Sequence, residues 1–186
     1  MIPLAAAIGT GFDRLIAWAR PASLPTSWRQ IPAIGLAGLA TGVCSIWMPQ
    51  LPGNGKSIVL EGLTGTATLF AVAGAVVPKP ALTALFVRAG AGGGMIIPAF
   101  ATGVAAGALV ALTVNYLGGH ASVATLALIG GAAVLGITQH APVFAAVFTA
   151  ELTYPPAQVW AILLLAAVGA HLVRTGWSTL ARWRRR

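Results

Sequence analysis

The chain has 186 residues, of which 58% are hydrophobic and 8% charged, with eleven Lys and Arg against three Asp and Glu and a formal net charge of +8. A mean hydropathy of +0.87 excludes a water-soluble surface, and a single cysteine excludes an intrachain disulfide. From Ala89 to Ala150 no Asp, Glu, Lys or Arg occurs, so the solvent for this block is lipid, and at about 20 residues per crossing the chain makes one membrane domain of roughly five to eight helices.

Leu4 to Ala19 reads as the first helix. No basic segment precedes it, and Asp13 and Arg14 interrupt its apolar run, so it does not read as a cleavable signal. Pro21, Pro25 and Ser27-Trp28-Arg29 make a loop, and Ile31 to Met48 is a Gly- and Ala-rich helix suited to close packing. Pro49-Gln50-Leu51-Pro52-Gly53-Asn54-Gly55 ends it. Ser57 to Val77 is the next helix, with Ser57 as its N-cap. Pro78-Lys79-Pro80 breaks the chain, Ala81 to Val87 is a short element, and Ile96 to Leu117, Ala121 to Ile137, Pro142 to Thr149 and Val159 to Val173 complete the bundle. The fold class is all-α, a polytopic bundle whose 23 glycines and 12 prolines make its helices short, tilted and broken.

Between the short element and the helix at Ile96 lies Ala89-Gly90-Ala91-Gly92-Gly93-Gly94-Met95-Ile96-Ile97-Pro98. A glycine-rich break that leads into an apolar helix presents unpaired backbone N–H groups at membrane depth, where a helix amino end carries about half a positive charge and attracts an anion. Taken alone, such a run is also a common packing device or flexible loop.

Three landmarks in order give the chain a family resemblance. Gly92-Gly93-Gly94-Met95-Ile96-Ile97-Pro98 is similar to the Gly-x-Phe-x-Pro anion-binding motif of the CLC chloride channels and chloride/proton antiporters. Pro52-Gly53-Asn54-Gly55 resembles that family's glycine-rich turn, and Thr138-Gln139-His140-Ala141-Pro142-Val143 followed by Glu151-Leu152-Thr153 resembles its Arg-Ala-Pro…Glu-x-Thr segment. The resemblance spans nearly the whole chain and covers the C-terminal half of the family's inverted repeat. It implies chloride transport, dimeric association in the lipid bilayer and no cofactor beyond the transported anion. The implied setting is the inner membrane of a bacterium, with a separate N-terminal half completing the pathway. The implied anion-binding set is Gly94, Met95, Ile96, Ile97 and Pro98, with the N–H groups of Met95 and Ile96 facing the ion. Ile96 stands where the family has Phe. Trp177, preceding Ser178-Thr179-Leu180, stands where the family has its chloride-coordinating Tyr, and its indole N–H would donate one bond.

The remaining polar residues carry less. Arg14, Arg20 and Arg29, and Arg174, Arg182, Arg184, Arg185 and Arg186, place the first connection and the tail in the cytoplasm. The tail beside Trp183 reads as an anchor to anionic lipid rather than a nucleic-acid site. Glu151 reads as a helix-end cap or ion pair, His140 as a turn residue, Lys56 and Glu61 as solvating one helix end, and Cys44 as a small packed residue. His120, His140 and His171 lack metal-ligand spacing. With no HExxH motif and no Ser or Cys beside an evident His, the chain is not expected to be an enzyme. Two function classes remain: anion transport by an assembly containing this chain, and a truncated or subunit protein that keeps the fold without conducting.

Overall fold

The computed structural model describes residues 1–20 and 27–183, which form nine helices and no strand. They are α1 (Ile2–Ala19), α2 (Gln30–Trp47), α3 (Lys56–Thr64), α4 (Leu69–Val76), α5 (Pro78–Arg88), α6 (Ile96–Tyr116), α7 (Val123–Thr138), α8 (Pro142–Thr153) and α9 (Ala157–Trp183). Among the described residues, four stretches are long and apolar enough to cross a membrane, namely Gln30–Trp47, Leu69–Arg88, Ile96–Tyr116 and Ala157–Thr179. The all-helical membrane class expected from composition is the one observed. The loop around Ser23 and the final arginines Arg184, Arg185 and Arg186 lie outside the described residues.

Two expected breaks are redistributed. Ser57 to Val77 is not one helix, because Gly65 adopts φ 71° and ends α3, and the Thr68 side chain then starts α4 by accepting from the Ala71 amide at 3.2 Å. Conversely, Pro78-Lys79-Pro80 does not end the span. Pro78 occupies the first position of α5, where its missing N–H is not needed, and Ala81 donates back to the Val77 carbonyl at 3.2 Å. Leu69–Arg88, made of α4 and α5, is therefore one apolar stretch long enough to cross a membrane. Ser57 is not the N-cap of α3. Gly55 holds that place at φ 103°, and the Asn54 side chain accepts from the Lys56 amide at 3.3 Å.

The core is the α6–α7 pair. Ala99, Phe100, Ala101, Val104, Ala105 and Ala108 of α6 are completely buried, as are Ala132, Val134, Leu135 and Ile137 of α7. A Cβ on Gly103 or Gly130 would strike the other glycine's carbonyl oxygen, and one on Gly107 would strike that of Leu126. Contact between backbones is thus built in by residue size, which is how helices associate where lipid removes the hydrophobic drive. Asn115 closes the hairpin by donating to the Ala121 carbonyl at 3.0 Å and accepting from the Ala121 amide at 2.6 Å. Phe100 meets Phe148 of α8 edge to face at 5.9 Å between centroids. Around this pair stand α1, α9 and α8, with α3, α4 and α5 on the other flank.

Lys79 is the buried cation of α5, 3% exposed. Its ammonium donates to the Leu51 carbonyl at 2.9 Å and to the Gly53 carbonyl, so it ties the Pro52-Gly53-Asn54-Gly55 turn to the bundle. A buried ammonium requires such acceptors. By contrast α2 buries Ala37 alone among its residues, leaving Ile31, Leu36, Leu39, Ile46 and Trp47 uncovered by the described residues.

Candidate anion site

The chain leaves α5 through a turn at Gly90. Gly90, at φ 85°, donates to the Val87 carbonyl at 3.0 Å, and Ala91 donates to the Phe86 carbonyl at 2.9 Å, a pattern that satisfies the last carbonyls of α5. Gly92, Gly93 and Gly94 are exposed, and a Cβ on any of them would meet nothing within 4 Å. No neighbour packs into the space where their side chains would stand. Met95 then caps α6 without a side-chain hydrogen bond, and no acidic residue occupies the first turn. An α-helix leaves its first four N–H groups without intrahelical partners. Pro98 supplies none, which leaves Met95, Ile96 and Ile97 as the donors at this end.

This helix end opens on a cavity of about 650 Å³. Gly93, Gly94, Met95 and Ile96 form one wall, and Phe12 and Asp13 of α1 with Arg20 at its C-cap form another. Thr138, Gln139 and His140 at the end of α7 and Arg174 of α9 complete it. Two arginines against one aspartate give the lining a net positive charge, in addition to the partial charge of the helix end. Arg174 pairs with Asp13 at 2.9 Å and donates to the Ile137 carbonyl at 2.8 Å, while His140 holds a left-handed turn at φ 54°. The arrangement suits a small anion: amide donors, positive lining and no carboxylate on the helix that supplies the donors.

Of the residues singled out by sequence, Gly94, Met95 and Ile96 lie together on this cavity. Ile97 faces a separate apolar cavity of about 280 Å³ with Phe100 and Leu152, and Pro98 is buried in the first turn. Trp177 is 44% exposed on α9, one turn beyond Arg174, and is not among the lining residues. Glu151 is exposed in the last turn of α8. His140 stands at the α7–α8 turn and contributes to the lining. Asp13 and Arg174 were not singled out as a pair by sequence. The available signal was two opposite charges, each inside an apolar helix, since such groups seek one another.

A family model described as voltage gated chloride channel matches residues 3–175. The voltage-gated ClC-type chloride channel ClcB of Escherichia coli O139:H28 (strain E24377A / ETEC) is 28% identical over 144 residues, which are 76% of this chain and 34% of that protein. ClcB of Escherichia coli strain K12 / DH10B matches with the same identity and coverage. The matched region thus spans about a third of the length of these relatives. With the family model matching nearly its entire length and its helices of membrane-spanning length and apolarity, this chain is an integral membrane protein that belongs to the voltage gated chloride channel (CLC) family.

Proposed function

We propose that this chain supplies the C-terminal half of a CLC-type chloride pathway and that the amides of Met95 and Ile96 hold the partly dehydrated anion. The observation that carries this reading is the uncapped amino end of α6, free of acidic residues and opening on a positively lined cavity. A helix end attracts an anion without the desolvation cost of burying a full cation beside it. The open space around Gly92, Gly93 and Gly94 leaves those amides unobstructed and argues against a packing role for the run. The uncovered apolar face of α2 supports assembly with a complementary N-terminal half, or with a second copy, in the bilayer. In this reading Arg20 and Arg174 lie near the cytoplasmic face.

The experiment is chloride efflux from liposomes containing this chain alone, and containing it with a family N-terminal half. Efflux in the second case and none in the first is expected. No efflux in either, from protein that is folded and binds its partner half, would favour the non-conducting subunit.

A further inference from the structure

The guanidinium of Arg174 makes three polar contacts on the cavity wall. One nitrogen, Nη2, lies 2.9 Å from Asp13 Oδ2; the other, Nη1, donates to the Ile137 carbonyl at 2.8 Å and to His140 Nδ1 at 2.6 Å. Arginine has donors only, so the His140 nitrogen facing it must offer a lone pair. An acceptor at Nδ1 corresponds to the tautomer that carries its proton on Nε2. The charged and titratable groups around this cluster come from three places. Helix α1 and its C-cap bring Asp13 and Arg20, the α7–α8 turn brings His140, and α9 brings Arg174 and, one turn earlier, His171. Helices α6 and α7 bring none. Arg88 of α5 is engaged elsewhere, 4.5 Å over the ring of Trp18.

We propose that Arg174 is a positioning residue for the anion site, held on the cavity wall by Asp13 and His140, and that protonation of His140 releases it toward the amino end of α6. This rests on the anion reading of that helix end. A protonated imidazole has no acceptor at Nδ1 and places a second cation against the guanidinium, so the contact becomes repulsive. The released arginine and the new imidazolium both raise the positive potential where the Met95 and Ile96 amides face the cavity. Protonation of His140 therefore strengthens anion binding. One added charge in a partly desolvated cavity corresponds to about tenfold in affinity.

The test is calorimetric titration of chloride into the full chain in detergent, exchanged into chloride-free buffer, at pH 8 and pH 6. The wild type is expected to bind about tenfold tighter at pH 6. His140→Gln keeps an acceptor for Arg174 and does not titrate, so its affinity is expected to be the same at both values. His171→Gln lies outside the lining and is expected to keep the wild-type response. Asp13→Asn removes the countercharge and is expected to bind tighter than wild type at pH 8. An unchanged pH response in His140→Gln, or weaker binding on acidification of the wild type, overturns the proposal. If Asp13→Asn fails to fold, the His140→Gln profile decides by itself. Absence of chloride binding by the wild type at either pH defeats the anion reading and this proposal with it.

Discussion

Lys79 shows how a single residue anchors a loop in this molecule. Its ammonium supplies the Leu51 and Gly53 carbonyls from within α5, and the Gly55 backbone beside it runs so close to Ala101 of α6 that a side chain there would not fit. Lys79→Met keeps the aliphatic bulk but leaves both carbonyls without this donor, at a cost of about 2 kcal/mol. Denaturant titration in mixed micelles should show the loss, and Lys79→Arg should recover part of it. A Lys79→Met protein as stable as wild type would mean that the bonds contribute nothing to the fold. In the sequence this lysine read only as part of a proline-rich break. Its role depends on a carbonyl pair 26 and 28 residues earlier, a distance over which helical periodicity carries no information. The glycine run, by contrast, was legible, because lack of side chains and a following apolar helix are local properties.

At the scale of elements, the α6–α7 pair depends on glycine where one backbone meets another. Gly107→Leu would push α6 off the Leu126 carbonyl and is expected to cost roughly 3 kcal/mol through overpacking. Gly11→Ala in α1 meets nothing within 4 Å and is expected to be neutral or stabilising by about 0.5–1 kcal/mol. Thermal unfolding followed by circular dichroism separates them, and a similar midpoint for both would contradict the close backbone contact. Helix existence was readable from apolar runs, whereas boundaries moved where capping chemistry acted. The Thr68 hydroxyl begins α4, Gly65 ends α3, and Pro78 is accommodated at a first-turn position instead of breaking the span. Proline and glycine mark places where the chain can turn. Neighbouring packing and caps decide whether it does.

For the whole molecule, alternation of the four candidate crossings predicts that Ser27 and Thr179 share one face of the membrane and that Gly118, at the far end of α6, lies on the other. With Cys44 replaced by Ser, cysteines at positions 27 and 179 should label from the same side and one at 118 from the opposite side. Equal accessibility of all three in sealed vesicles would refute this layout. The small residues along α1, α8 and α9 suit a dimer, and crosslinking in mild detergent should yield one; monomer alone would count against it. The global fold was accessible from the sequence because composition names the solvent and three glycine- and proline-marked segments occur in a fixed order. The cavity was not, since Asp13 and Arg174 lie 161 positions apart and meet only when α1 and α9 pack side by side. The central claim is that the amides at the start of α6 bind the anion, and chloride titration of Gly94→Pro beside Ile96→Phe tests it most directly. Gly94→Pro should abolish binding by bending the approach to Met95, while Ile96→Phe, which leaves the backbone donors in place, should bind as wild type does. Unaltered binding by a well-folded Gly94→Pro protein would contradict the account.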